Sequence, residues 1–289
     1  MSPPDSTSGA SVPEITIRRL EWEPDAQLTS RTWAYTALVG DRPAAVQAVV
    51  FRADGTILYL TPDFKRGSVT EHSVIAAVVG RMAERIQEDL AEVQCVFQQS
   101  AIDPEDVIGI AALEAAGFQE LTDVCELRRP IVAAEMLGGV ASEAEVELVA
   151  PGLESPFWQQ AFAASLAGGL DVPELLMRRG PAESFESLRL LAGEETEHWR
   201  VALCRGELAG LVLPTALPDG TAEIQYMGVS EGHRRKGIGR RLVADAIEAA
   251  ADVGATELVV QVDARNVPAL ALYRSMGFQD VTRRSLWLK

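Results

Sequence analysis

The chain has 289 residues, of which 47% are hydrophobic and 24% are charged, a balance typical of soluble globular proteins and unlike that of disordered chains. Its formal net charge of −16 argues against a nucleic-acid partner, because binding to phosphates needs cations. No apolar run approaches the ~20 residues that span a bilayer. Three scattered cysteines indicate neither a disulfide framework nor a zinc site. We therefore expect a cytoplasmic protein without a membrane contact or a bound metal.

Hydrophobic periodicity in the first half predicts a strand-rich region followed by a helix. Strands are expected at 33–39, 44–51 and 56–60, a helix at 74–90, a strand at 93–97, a helix at 105–116 and a strand at 123–128. Ser68 and Glu71 have the spacing of a capping box in front of the first helix.

The second half repeats this order of elements. Strands are expected at 146–150, 200–204, 208–213, 223–229, 257–262 and 280–288, and helices at 157–166, 183–191, 239–251 and 268–275.

A weak internal repeat relates the two halves. The sequence Leu-Glu-Ala-Ala-Gly-Phe-Gln at 113–119 matches Tyr-Arg-Ser-Met-Gly-Phe-Gln at 273–279. The simplest explanation is a duplicated domain, and chance similarity of one short stretch is the alternative. We predict a disordered tail at 1–14, a first domain at 15–134, a linker at 135–145 and a second domain at 146–289.

Basic residues concentrate next to a glycine-rich loop in the second half. Residues 230–289 carry 10 basic and 7 acidic residues, a net +3, so the remainder of the chain carries −19. Glycines let successive backbone N–H groups converge on an anion, and a helix N-terminus adds further donors. The loop has neither the Walker pattern nor the dinucleotide fingerprint. Its candidate anion-binding residues are Arg234, Arg235, Lys236, Gly237, Ile238, Gly239 and Arg240; a solvated basic surface is the alternative.

Several motifs, in order and spacing, resemble the GNAT superfamily of acyl-CoA-dependent N-acyltransferases. They are Met227-Gly228-Val229, Arg234-x-x-Gly237-x-Gly239, the segment 260–263, Asn266-x-x-Ala269-x-x-Leu272-Tyr273 and Gly277-Phe278. The resemblance covers about 146–289. It implies an α+β fold with α/β/α layers: two tandem GNAT-like domains, each with a mixed, mostly antiparallel sheet flanked by helices.

The resemblance also implies how acetyl-CoA is bound. In such enzymes the loop equivalent to 234–239 grips the pyrophosphate, and the strand equivalent to Met227, Gly228 and Val229 pairs with the pantetheine arm. The residue matching Asn266 contacts the cofactor, and the one matching Tyr273 lies near the thioester sulfur.

Aminolysis of a thioester sets three chemical requirements. The amine must be neutral, the oxyanion needs hydrogen-bond donors, and the leaving thiolate benefits from a proton donor. A backbone N–H near Val229 meets the second requirement if the strand splays or bulges there. Tyr273 can meet the third, with a plain core aromatic as the alternative. Glu223 is the candidate base, on one face with Gln225 and Met227 by the two-residue strand period, unless it is simply a solvated carboxylate.

The first half departs from the GNAT pattern. Its loop at 60–68 has one glycine where two are needed, Leu113 stands at the position of Tyr273, and little room for two helices remains between Arg19 and Trp33. We therefore expect a degenerate copy that braces the second half, shapes an acceptor site or binds a ligand without turnover.

The leading hypothesis is an N-acyltransferase that moves an acetyl group from acetyl-CoA to a primary amine of a small molecule or peptide by direct attack. A non-catalytic acyl-CoA-binding or interaction module is the rival. The tandem arrangement also resembles mycothiol-synthase-like enzymes and cell-wall aminoacyl-transfer enzymes; the acidic charge disfavours the latter, which must hold a tRNA. The charge of −19 on residues 1–229 favours a cationic acceptor. The sequence gives no oligomeric state.

Overall fold

The computed structural model describes residues 13–20, 31–132 and 145–289, without the side chains of Leu176 and Met177. The predicted tail and linker, apart from residues 13, 14 and 145, and the stretch 21–30 lie outside the described residues. The chain divides into unit 1, Met1–Glu120 with Trp287–Lys289, and unit 2, Leu121–Leu286. The predicted domain bounds stay a prediction of the sequence.

Unit 1 is built on a mixed sheet. Its elements are β1 (Ile15–Leu20), β2 (Arg31–Val39), β3 (Arg42–Phe51), β4 (Ile57–Tyr59), β5 (Asp63–Phe64), α1 (His72–Leu90), β6 (Gln98–Ile102) and α2 (Val107–Ala115). The strand order is β1-β2-β3-β4-β6, with β4 parallel to β6 and the other neighbours antiparallel. Buried residues of α1, including Val78, Met82 and Ile86, cover the apolar side of this sheet.

Two local expectations for unit 1 are wrong. The strand predicted at 93–97 begins instead at Gln98; the apolar residues before it lie in an irregular approach, with Phe97 buried there. The capping box does not form, because Ser68 Oγ donates to the Lys65 carbonyl at 2.6 Å and Glu71 caps α1 without a side-chain hydrogen bond. The Ser68 side chain therefore stabilises the turn before α1 instead of capping the helix.

Unit 2 holds the remaining elements, apart from four strand-end residues of unit 1, which are Gln119, Glu120, Trp287 and Leu288. They are β7 (Gln119–Pro130), β8 (Val146–Val149), α3 (Phe157–Leu166), α4 (Pro173–Arg178), α5 (Pro181–Ala192), β9 (Arg200–Cys204), β10 (Glu207–Ala216), β11 (Ala222–Val229), a 3-10 turn (Glu231–His233), α6 (Ile238–Asp252), β12 (Glu257–Asp263), α7 (Val267–Ser275) and β13 (Gln279–Leu288). The strand order is β13-β7-β12-β11-β10-β9-β8.

Helices cover both faces of the unit 2 sheet. One core joins the sheet to α6 and α7, and the other joins it to α3 and α5. The β11–β12 pair is parallel, and β7–β12, β8–β9, β9–β10 and β10–β11 are antiparallel. The expected fold class, a mixed and mostly antiparallel sheet flanked by helices, is confirmed. None of the helices among the described residues is both long and apolar enough to span a membrane.

The strand β7 belongs by sequence to the first half but pairs with β12 from Val124 to Pro130. Leu127 of this strand is fully buried in the core of unit 2, and Arg129 Nε donates to the Met276 carbonyl at the end of α7, at 2.9 Å. In the same way, Trp287 is buried in the core of unit 1, and Lys289 Nζ donates to the carbonyl of residue 116 at the end of α2, at 2.6 Å. Each unit is thus completed by a strand from the other half of the sequence.

The internal repeat is also visible in hydrogen bonds 160 residues apart. Asp106 Oδ1 accepts from the backbone N–H three residues later at 2.8 Å, and Asn266 Oδ1 does the same at 3.3 Å. The carbonyls of Leu113 and Tyr273 each accept from the N–H of the phenylalanine that follows the helix, at 2.9 and 3.1 Å. The two halves therefore fold this segment alike, with Leu113, fully buried, at the position of the phenol.

Replacing Leu127 by alanine tests the place of β7 in unit 2. Loss of a fully buried leucine should lower the free energy of unfolding by ~2–5 kcal/mol. The control is Leu190→Ala in α5, because Leu190 is 45% exposed and should cost less than ~1 kcal/mol. Urea unfolding of both variants measures the difference, and equal effects would contradict the assignment.

Candidate functional site

The site is organised by two parallel strands that part after a short contact. β11 pairs with β12 at Ala222–Leu258 and Glu223–Val259. Beyond these pairs β11 continues to Val229 and β12 to Asp263 without a ladder between them. The splay expected from the sequence is therefore present. Along 224–229, the backbone groups that face β12 have no strand partner among the described residues, so an extended ligand arm can pair with them.

A β-bulge changes which residues of β11 share a face. Pro214 of β10 pairs with Ile224, and Leu213 pairs with Tyr226, so Gln225 is the extra residue. Ala222 and Ile224 face the core beneath α6 before the bulge, and Met227 and Val229 face it afterwards. The expected grouping of Glu223 with Met227 is wrong, because the bulge shifts the alternation by one residue.

Glu223 consequently shares a face with Tyr226 and Gly228. Tyr226 packs against the other core, with α3 and α5. Glu223 is half-buried at the last paired position, where the two strands are still together. At the bulge itself, Gln225 Oε1 is buried without a hydrogen-bond partner among the described residues.

The loop after β11 forms the N-terminal end of α6. Gly237 caps this helix with φ 83°, in the left-handed region that favours glycine, and no side chain caps the helix. The N–H of Arg241 makes the first helical bond, to the Gly237 carbonyl, at 3.1 Å. The N–H groups at 238–240 therefore have no acceptor inside the helix, which is the usual setting for an anion. Ile238 is buried and anchors this end of the helix.

Close packing fixes the first turn of α6 against α7. A Cβ on Gly239 would lie 3.2 Å from Leu272 Cδ2. Arg240 is exposed and donates from Nη1 to Ser275 Oγ at 3.1 Å. Lys236 Nζ donates to the Gly232 carbonyl at 2.7 Å. Arg235 is exposed, with φ 63°.

Arg234 has a different environment from the other cations of the loop. Its guanidinium donates to the carbonyls of Val229 at 3.0 Å, Gly168 at 3.0 Å, Ser165 at 3.1 Å and Ala167 at 2.5 Å. The charge thus lies at the C-terminal end of α3, where a cation is favourable. The predicted phosphate contact of Arg234 stays a prediction; the contacts present join the end of β11 to α3.

Tyr273 is buried on α7, 3% exposed, with its ring edge-on to Phe278 at a centroid distance of 5.3 Å. Burial raises the pKa of its hydroxyl well above the usual value, and the nearby Asp171 and Tyr226 raise it further. The phenol therefore keeps its proton at neutral pH and suits a proton donor rather than a base.

Tyr226 is a site residue that sequence reasoning missed. Its hydroxyl lies 2.7 Å from Ser165 Oγ, and its ring packs on Phe162 at 4.6 Å. Burial raises its pKa to about 12, with Asp171 also acting to raise it. Its position next to Met227-Gly228-Val229 was the signal that could have identified it. The bulge at Gln225 could not be predicted, so the side of the sheet that Tyr226 faces could not be predicted either.

The end of β12 and the start of α7 bring several polar groups together. Asn266 is the N-cap of α7, and its side chain also hydrogen-bonds to Asp171. Asp263, fully buried, lies beside it and accepts from Thr122 Oγ1 at 3.0 Å. In the described ranges, no group of three or more His, Cys, Asp or Glu is arranged to hold a metal ion.

Known proteins resemble this chain in sequence and in fold. The model of the Acetyltransferase (GNAT) family matches residues 170–278. The chain is 37% identical over 84 residues to N-acetyltransferase family 8 member 3 of Rattus norvegicus, covering 27% of this chain and 37% of that protein. It is 27% identical over 191 residues to mycothiol acetyltransferase of Thermobifida fusca (strain YX), covering 58% of this chain and 57% of the relative. The chain thus spans less than two thirds of these curated relatives.

A solved tandem GNAT protein from the clavulanic acid biosynthesis pathway shares the fold. Its TM-score is 0.53 at 14% identity, and the alignment covers 90% of this chain and 83% of that one. At this identity the likeness shows the fold alone. The tandem fold inferred from the motifs is confirmed, and the degenerate character of the first half stays a prediction.

Gly228 provides a test of the packing at the open strands. A Cβ at this position would lie 2.5 Å from Ser165 Oγ and 2.7 Å from the Tyr226 hydroxyl. Gly228→Ala should therefore displace this pair and lower the free energy of unfolding by ~1–3 kcal/mol. Gly80→Ala in α1 is the control, because nothing lies within 4 Å of its Cβ and alanine favours a helix. Thermal unfolding compares them; a Gly228→Ala chain as stable as the Gly80 variant would refute the close approach.

Proposed function

This chain belongs to the GNAT acetyltransferase family, and from that premise we propose that it transfers an acetyl group from acetyl-CoA to a primary amine. The observation that carries the proposal is the parting of β11 and β12 beside the uncapped N-terminus of α6. An unpaired strand edge suits the amide-bearing arm of coenzyme A, and a helix N-terminus suits its pyrophosphate.

The cofactor-binding residues follow from these two features. Backbone groups of Met227, Gly228 and Val229 line the open strand edge and would pair with pantetheine. The pyrophosphate would take the N–H groups of the α6 first turn, with positive charge from the exposed cations beside it. The residues of this second group are Arg235, Lys236, Gly237, Ile238, Gly239 and Arg240; Asn266 would contact the arm from the start of α7.

The chemistry proposed is direct attack of a neutral amine on the thioester carbonyl. The nitrogen forms a bond to the carbonyl carbon, the oxyanion accepts from a backbone N–H near Val229, and the carbon–sulfur bond then breaks. Tyr273 gives its proton to the departing thiolate and regains one from the attacking nitrogen. Its raised pKa supports this role, because the proton is present at neutral pH. Before attack, the ammonium form of the amine must lose one proton, and Glu223, at the closed end of the strand pair, is the acceptor that the sequence suggests for it.

The rival function, an acyl-CoA-binding module without turnover, shares the binding residues and differs only in chemistry. Thiol release from acetyl-CoA in the presence of amines distinguishes the two. A chain that binds acetyl-CoA and releases no thiol with any amine is the binding module.

Gly237→Asp tests the proposed pyrophosphate site. A carboxylate at the end of α6 repels the pyrophosphate and strains a left-handed position, so the Kd for acetyl-CoA should rise at least ~10-fold. Gly67→Asp in unit 1 is the matched control, since Gly67 has φ 75° and open space around its Cβ. Calorimetric titration should give one site per chain and an unchanged Kd for the control. A second site of equal affinity would contradict the degenerate first half.

Tyr273→Phe tests the proposed proton donor. Removing the hydroxyl should lower kcat ~10²–10⁴-fold with little change in the Kd for acetyl-CoA, because the proton moves only in the transition state. Tyr59→Phe is the control, because Tyr59 is a fully buried tyrosine of unit 1 and lies outside the proposed site. Thiol release measures kcat. Equal kcat values for the two variants would exclude Tyr273 as the donor.

A further inference from the structure

The connection between α3 and α4 crosses the opening between the parted strands. We call residues 167–172 the bridging segment. One end is held by Arg234, which donates to the carbonyls of Ala167 and Gly168 and also to that of Val229 at the end of β11. The other end is held at β12, because the N–H of Val172 donates to Asp263 Oδ2 at 3.1 Å.

The bridging segment carries one carboxylate into this opening. The N–H of Asp263 donates to Asp171 Oδ1 at 2.9 Å, and the Asn266 side chain adds a second hydrogen bond. Val172, next in the chain, has φ 38°, a left-handed conformation that is strained for a β-branched residue. Its bond to Asp263 holds that conformation, which orients Asp171.

Asp171 faces both phenols of the site. Its negative charge raises the pKa of Tyr226, on β11, and that of Tyr273, on α7. The hydrogen bond from the Asp263 N–H holds this carboxylate at the end of β12, within electrostatic range of both phenols. Asp171 is also exposed, so an acceptor can reach it from solvent.

The hydrogen-bond partners of this carboxylate are neutral. Both donors to Asp171 are uncharged, and no cationic side chain of the described ranges forms an ion pair with it. The nearest candidate, Arg265, is engaged elsewhere: it donates to Glu174 at 2.7 and 2.9 Å and to Asp263 at 2.7 Å. The carboxylate is therefore available to the ammonium group that the acceptor of the proposed reaction supplies.

We propose that Asp171 binds the ammonium group of the acceptor and takes its proton before attack. This inference rests on the proposed function, and it gives the role of base to Asp171 rather than to Glu223. It makes the substrate class a primary alkylammonium compound. The acidic character of residues 1–229 favours the same class.

The proton and electron balance is complete. The ammonium nitrogen loses one proton to the Asp171 carboxylate, and its freed lone pair forms the bond to the thioester carbon. The carbon–sulfur bond breaks toward sulfur, which takes the proton of Tyr273. Tyr273 recovers a proton from the nitrogen as the amide forms, and Asp171 returns its proton to water.

Among Asp171 and its ionisable neighbours, Asp171 is the group expected to titrate on the acid side of neutral pH. Loss of solvation raises its pKa, and the charge of Asp263 acts in the same direction. The hydrogen bonds from the Asp263 N–H and from Asn266 and the charge of Arg265 lower it, and the net shift is upward. For Asp263 itself, burial is outweighed by hydrogen bonds from Arg265, so its pKa is lowered and it stays charged. Arg265 stays protonated, and Tyr226 and Tyr273 stay neutral, because their pKa values are raised. The acid limb of kcat/KM should therefore report Asp171, with activity lost as pH falls through its raised pKa.

The test compares Asp171→Asn with the wild-type chain in thiol release from acetyl-CoA. Spermidine, tyramine and glucosamine are the alkylammonium acceptors, and hydroxylamine is an acceptor that is already unprotonated at neutral pH. Asp171→Asn should lower kcat/KM at least ~100-fold for the best alkylamine and abolish the acid limb. The rate with hydroxylamine and the Kd for acetyl-CoA should stay within about threefold, which a general loss of structure would not allow.

Two further variants make the outcome decisive. Asp219→Asn removes an equal charge from the exposed turn before β11 and should change none of these quantities. If Asp171→Asn unfolds, Asp171→Glu keeps the carboxylate and should retain an acid limb and at least a tenth of the activity; failure of that rescue overturns the assignment.

The failures of the two proposals are distinguishable. Wild-type turnover with an unchanged acid limb in Asp171→Asn, lost instead in Glu223→Gln, overturns the role of Asp171 and leaves the acetyltransferase standing. No thiol release by the wild-type chain with any of the four acceptors overturns both.

Discussion

The site depends on where the pairing of two strands stops. Ala222 and Glu223 hold β11 to β12, and from Ile224 onward the strands part. The bulge at Gln225 turns Tyr226 toward α3 at the same point. The open edge, the uncapped start of α6 and the buried phenol of α7 are all arranged around that opening. A longer ladder would satisfy the backbone groups internally and leave no edge for a ligand arm.

Elements whose signals are local could be predicted from the sequence. The helix expected at 239–251 is α6, Ile238–Asp252, because glycine at its start and an apolar stripe along one face determine it together. The strand expected at 257–262 is β12, and the helix at 268–275 is α7, for similar reasons. The candidate anion-binding loop could be proposed because its glycines, its cations and the following helix lie within a few residues of one another.

Features that depend on distant partners could not be predicted. The bulge at Gln225 depends on how β11 pairs with β10. The residue pattern within β11 does not indicate that register. Arg234 was assigned by its neighbours in the loop, whereas its four acceptors include three carbonyls more than sixty residues earlier. Asp171 lay in a break between helices with no motif around it. The strand β7 looked like the end of the first domain, since its pairing with residues 257–263 is a tertiary contact.

The exchange of end strands also determines when each unit can finish folding during synthesis. The core of unit 1 includes Trp287, and its sheet is completed at Lys289, which hydrogen-bonds to Gln98. A ribosome adds roughly 5–20 residues each second, so the nascent first unit waits on the order of ten seconds or longer for those residues. Until then β6 presents an unpaired edge, the kind of surface that captures other chains. Chaperone protection in that interval matters more for the first unit than for the second, whose strand from the other half, β7, has already been made.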